Sequence, residues 1–178
     1  MVEKVISIRN ARPADAEAIA EVHDAAWRDA YRGIIPGREL ERMIARRGPR
    51  WWQAAISRGS RLVVLDFGGR IAGYASYGRN RVPAMPYSGE IFELYLAPEF
   101  QGLGMGRRLF EAARRDLNDH GYVSTLVWAL ADNQRALTST RASAARSSVA
   151  PRNGSATRRA AALPSDLPPR RRAECARL

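Results

Sequence analysis

The run Leu94-Tyr95-Leu96-Ala97-Pro98-Glu99-Phe100-Gln101-Gly102-Leu103-Gly104-Met105-Gly106-Arg107-Arg108-Leu109 constrains this chain more than any other. An apolar strand pattern enters a glycine-rich turn, and the turn opens directly onto a helix pattern. A helix that starts this way presents free backbone N–H groups at its N-terminus. The partial positive charge there favours an anion such as a pyrophosphate.

The 178 residues suit one domain with a core of its own. No run reaches the ~18 apolar residues of a membrane span, and no secretory h-region follows Met1, so a cytoplasmic location is expected. Cys175 is the single cysteine and His23 and His120 are the two histidines. A disulfide framework is excluded, and no metal site is expected. Most of the net charge of +11 lies beyond residue 136, where nine arginines face only Asp166 and Glu174. Arginine dominates throughout and Lys4 is the only lysine. That bias suits a GC-rich coding sequence, so charge alone does not argue for a nucleic-acid partner, and none is expected.

Periodicity predicts a first strand at residues 5–9. A helix begins at Arg12-Pro13-Ala14-Asp15 and carries Ile19, Val22, His23, Ala26, Trp27 and Ala30 on one face. Helical segments between residues 38 and 57 break at Gly48-Pro49. Strands at 61–67 and 70–77 flank Gly68-Gly69, a two-residue hairpin turn that requires positive φ. A loop spans Gly78 to Ser88, and a strand runs from Glu90 to Leu96. The helix after the glycines keeps Leu109, Phe110, Ala113 and Leu117 together. A strand from Tyr122 to Leu130 follows, and Asp132 caps a last helix start.

Gln101-x-x-Gly104-x-Gly106 at a strand-to-helix turn resembles the acetyl-CoA signature of the GCN5-related N-acetyltransferase (GNAT) superfamily. Leu94-Tyr95-Leu96-x-Pro98-Glu99-Phe100 before it, Asn133-x-x-Ala136 after the next strand, and Ala25-Ala26-Trp27-Arg28-Asp29-Ala30-Tyr31-Arg32-Gly33-Ile34-Ile35-Pro36 extend the resemblance over residues 5–136. A Rossmann site is disfavoured because the glycines do not follow the first strand, and a P-loop lacks its Gly-Lys-Ser/Thr. The resemblance implies an α/β GNAT fold, with a mixed, mostly antiparallel central sheet flanked by helices. Residues 1–136 form the N-acetyltransferase domain, and 137–178 an Arg/Ala/Pro-rich tail expected to be disordered.

The resemblance also implies acetyl-CoA as cosubstrate and a bacterial acetyltransferase that moves its acetyl group to a primary amine by direct attack on the thioester. Cofactor contacts fall to Leu94, Tyr95, Leu96, Gln101, Gly102, Leu103, Gly104, Met105, Gly106, Arg107 and Asn133. The Leu94 amide would polarise the thioester carbonyl, and Glu90 would be the general base. Glu93 is expected on the opposite face of its strand. Tyr31 and Trp27 flank the acceptor, with core packing the plainer reading of Trp27. His23 is read as a helix-face residue. The acceptor is a small molecule or a peptide amine, no membrane partner is implied, and a homodimer would match many relatives. An alternative function is a catalytically silent acyl-CoA-binding or interaction protein.

The chain departs from the family after Leu137. Ser139 and Thr140 stand where an aromatic pair belongs, and no later strand is legible, so the last two strands are expected to be missing. The codons of residues 138–145, read one base earlier, permit Asp-Phe-Tyr-Ala-Arg-Leu-Gly-Gly, which the family would place there. A frameshift near Leu137 explains such a tail. The expected consequences are a bare edge on the fifth strand and impaired turnover.

Overall fold

The computed structural model describes residues 6–130 and 173–177. Its order is β1 (Ile6–Asn10), a 3₁₀ turn at Pro13–Asp15, α1 (Ala16–Tyr31), α2 (Gly37–Ala45), α3 (Pro49–Ser57), β2 (Leu62–Phe67) and β3 (Arg70–Arg79). There follow β4 (Gly89–Leu96), a 3₁₀ turn at Pro98–Phe100, α4 (Met105–Asp119), β5 (Thr125–Leu130) and β6 (Ala173–Arg177). The strands lie in sequence order in one sheet. Every pair is antiparallel except β4 with β5.

Alternation along β3 sorts the helices onto two faces. Tyr74 points toward α1 and α3, where its ring lies 4.9 Å from Trp52 and its hydroxyl meets His23. Positions 73, 75, 77 and 79 face the other way. Leu96, the partner of Gly73, lies against Gly106 of α4, and Gly89, the partner of Arg79, lies against Leu117. The predicted stripe of Leu109, Phe110, Ala113 and Leu117 is buried on that face. The sheet is therefore covered on both sides along β2–β4, and Val64, Leu65, Ala72 and Ala75 between the layers have no exposed surface.

β4 carries the irregularity that shapes the molecule. Its register on β3 runs Ser76↔Glu93 and then Tyr77↔Ile91, so Phe92 is an extra residue, a β-bulge. Its parallel pairing with β5 covers only Gly89, Glu90 and Ile91. Past the bulge the two strands part, and among the described residues Glu93–Leu96 pair with β3 on one side and leave an open edge on the other.

One expectation is corrected. A strand does follow β5: Ala173–Arg177 pairs antiparallel with Leu126–Leu130, so the expected bare edge is covered along those residues. Ala-Glu-Cys-Ala-Arg has no apolar alternation, so this pairing is carried by backbone groups that an edge strand leaves needing partners. The strand predicted from Tyr122 begins at Thr125. Asp132, Asn133, Ser139 and Thr140, and the tail before Ala173, lie outside the described residues. Among the described residues no helix is long and apolar enough to cross a membrane.

Candidate functional site

Backbone direction defines the open edge. The Ala97 N–H donates to Ala72 O on β3 at 2.9 Å. In an antiparallel ladder, N–H groups alternate between the two neighbours. Those of Tyr95 and Glu93 therefore face β3, and those of Leu94 and Leu96 face the gap left by β5. Of the three consecutive residues predicted to touch a cofactor, Leu94 and Leu96 offer backbone groups there. Tyr95 does not; its ring packs among those of His23, Trp27 and Tyr74 instead.

The glycine turn closes one end of the gap. Gly102 and Gly104 both have φ of 76°, a region where other residues are strained. Gly104 is the N-cap of α4 in the left-handed conformation, and a Cβ at either glycine would meet nothing within 4 Å. The turn is thus open toward solvent, and the N–H groups of Met105, Gly106 and Arg107 have no intrahelical acceptor. The Gln101 side chain donates to Leu96 O at 3.3 Å, tying the turn to the edge strand. The Arg107 guanidinium is engaged with Glu111 at 2.7 Å.

Glu90 is 1% exposed, and both its oxygens are occupied. It accepts from the Arg81 N–H at 2.8 Å, from Nε at 3.3 Å and from the guanidinium terminus at 2.8 Å. The Arg81 guanidinium also lies 3.9 Å over the Phe92 ring. Glu93 does not lie on the opposite face. Gly78 pairs with Glu90 and Ser76 with Glu93, and those β3 positions share a face, so the two carboxylates do too. The bulge at Phe92 shifts the alternation by one.

Glu93 lies at the centre of a buried polar cluster. It forms an ion pair with Arg47 and accepts from the Tyr74 hydroxyl at 3.3 Å. Tyr74 in turn is 2.8 Å from Nδ1 of His23. Beside them the Tyr31 and Tyr95 hydroxyls are 2.9 Å apart. Burial raises the Glu93 pKa above the usual carboxylate value, against the opposing pull of Arg47 and Tyr74. Burial also lowers His23 to about 3, with help from the Arg47 charge, so His23 is neutral near pH 7. It also pushes the hydroxyls of Tyr31, Tyr74 and Tyr95 up, which keeps them protonated.

Trp27 and Tyr31 are 5% and 6% exposed, which fits core packing for Trp27. His23 has no exposed surface; it belongs to the buried cluster and is more than a helix-face residue. At the α1–α2 corner a surface concavity of about 600 Å³ is lined by Arg32, Ile34, Ile35, Pro36 and Leu40, among others. Periodicity missed the cluster because Arg47, Tyr74 and Glu93 come from three separate segments. The local signal was charge inside a largely apolar strand, Glu93 and Glu90 alike.

The acetyltransferase (GNAT) family matches residues 19–138. The chain belongs to the GNAT family. It is 33% identical over 129 residues to the uncharacterized N-acetyltransferase YuaI of Bacillus subtilis (strain 168), covering 72% of this chain and 74% of that one. It is 31% identical to the L-amino acid N-acyltransferase MnaT of Escherichia coli (strain K12), covering 65% of each. The PaiA N-acetyltransferase of Thermoplasma acidophilum, solved in complex with coenzyme A, shares the fold with a TM-score of 0.65. That match has 18% identity and covers 75% of this GNAT chain and 85% of the other.

Proposed function

We propose that this GNAT chain transfers an acetyl group from acetyl-CoA to a primary amine by direct attack of the amine on the thioester. The observation that carries the reading is the open edge of β4 ending on the glycine turn. The N–H groups of Leu94 and Leu96 supply the hydrogen bonds an extended pantetheine arm would need. Gly102, Leu103, Gly104, Met105, Gly106 and Arg107 lie where the pyrophosphate would be bound by backbone N–H groups and the α4 dipole. Gln101 fixes the junction between the two, and Asn133 is assigned to the cofactor by resemblance alone.

On this reading the Leu94 N–H stabilises charge developing on the thioester oxygen. The amine arrives as an ammonium and gives up a proton to a β4 carboxylate, for which the sequence motif nominates Glu90. Its lone pair then forms the C–N bond as the C–S bond breaks. The second nitrogen proton ends on the departing thiolate. L-amino acids are the first acceptors to screen, because the relative MnaT is named for them.

Calorimetric titration with acetyl-CoA, run beside a thiol-release assay with an amine panel, tests the reading. Binding with amine-dependent thiol release is expected, at a rate lowered by the aberrant tail. Binding without release would make the chain a silent acyl-CoA-binding protein. No binding would refute the assignment of the turn.

A further inference from the structure

We propose that Glu93, rather than Glu90, takes the proton from the acceptor amine, and that Arg47, Tyr74 and His23 are positioning residues that hold its carboxylate. This rests on the acetyl-transfer reading above and deepens it. Three observations support the assignment.

The first is that Glu90 is tied to Arg81 on both oxygens. Arg81 occupies it with a backbone N–H and two guanidinium nitrogens, and Phe92 stacks on that guanidinium. Glu93 differs in that it meets Arg47 at Oε1 and the neutral Tyr74 hydroxyl at Oε2. The burial of Glu90 at 1% exposure reads as a clamp that fixes the β3–β4 loop to the bulge.

Secondly, the bulge brings Glu93 into place. Glu93 directly precedes Leu94, whose N–H faces the open edge, and its side chain points to the face covered by α1 and α3. The thioester carbonyl on the Leu94 N–H and the Glu93 carboxylate are therefore one residue apart along the strand. The side chain keeps 11% exposure, whereas Glu90 is closed off.

Thirdly, the surroundings suit a base. Burial raises the Glu93 affinity for a proton, and Arg47 and Tyr74 limit the rise. The groups facing it are Arg47 from the segment between α2 and α3, Tyr74 on β3, Tyr95 on β4, Tyr31 and His23 on α1, and Arg81 in the β3–β4 loop. Tyr74 has one proton to give. With Nδ1–H of His23 donating to its oxygen, the hydroxyl is free to donate to Glu93. His23 thus orients Tyr74, and Tyr74 orients the carboxylate.

The proton balance is simple. The ammonium proton moves to Glu93 and is later returned to solvent; the thiolate takes the second proton as CoA–SH forms. An amine that is already neutral at the assay pH does not need the first step, and that separates a base from a structural residue. The experiment measures thiol release from acetyl-CoA by the full chain with two probes, an equimolar pool of L-amino acids and hydroxylamine. Glu93→Gln should lose about 10²-fold or more with the pool and keep most of its rate with hydroxylamine.

Tyr74→Phe removes the hydroxyl that lowers the Glu93 pKa, so the acid limb of its pool-dependent rate should move to higher pH. It decides the matter if Glu93→Gln does not fold. Equal loss with both probes in folded Glu93→Gln, an unchanged pool rate, or an unmoved limb in Tyr74→Phe overturns the assignment. A wild-type chain that releases no thiol with either probe overturns the acetyl-transfer reading, and the assignment falls with it.

Discussion

At the scale of single residues, His23 couples the candidate site to stability. The folded chain keeps it neutral down to about pH 3, while in an unfolded chain it takes its proton near 6.5. Over that window the unfolded state binds the extra proton, so stability rises with pH. The contribution is complete above 6.5 and is lost as the pH falls toward 3, at roughly 1.4 kcal/mol per pH unit. Urea unfolding at pH 7 and pH 5 should therefore show wild type losing about 2 kcal/mol more than His23→Gln. Equal losses would mean that His23 is hydrated. Gly73 is the second sensitive position. A Cβ there would stand 2.4 Å from Leu96 Cδ2 and 2.8 Å from the Tyr95 carbonyl oxygen. The oxygen belongs to the β4 backbone and cannot rotate away, so the strand itself must move. Gly73→Ala should cost about 1–3 kcal/mol in urea unfolding and weaken acetyl-CoA binding, because Leu96 moves with the strand.

At the scale of elements, the glycine turn and the bulge make opposite cases for what a sequence discloses. The turn was legible because positive φ leaves a mark: Gly102 and Gly104 occupy positions that other residues reach only with strain. Gly104→Ala should keep the fold, since its Cβ meets nothing, at a cost of about 1–2 kcal/mol in the left-handed conformation. Acetyl-CoA affinity should fall about tenfold if the turn relaxes to recover that energy. Calorimetric titration of the variant gives both the retained site and the altered affinity. The bulge left no such mark. Phe92 is an ordinary strand residue, and nothing in Glu-Ile-Phe-Glu says that two side chains three apart will share a face. Simple alternation therefore separated Glu90 and Glu93, whereas the register unites them. The buried cluster was hidden for a related reason. Arg47, Tyr74 and Glu93 meet only after the sheet is assembled, and their residue types taken singly also fit solvated helix ends or strand faces.

At the scale of the whole molecule, the weakest joint is where β5 meets the rest of the sheet. β4 holds β5 through three paired residues, Gly89, Glu90 and Ile91, because the gap that would admit a pantetheine arm begins directly after them. On its other side β5 is paired over five residues with β6. The opening that serves binding thus removes backbone partners from β5, and the strand from the tail replaces partners on the far edge. Deleting residues 137–178 should leave Leu126–Leu130 with an uncovered edge and little to anchor it. Two measurements follow from this. Amide hydrogen exchange should show protection at Leu126–Leu130 in the full chain and its loss in the truncated one, while β2 and β3 in the covered core stay protected. Light scattering should show the truncated chain self-associating with concentration, since a bare edge accepts another strand. If the truncated chain stays monomeric and keeps its β5 amides protected, then α4 and β4 alone hold β5, and the tail contributes nothing to the sheet.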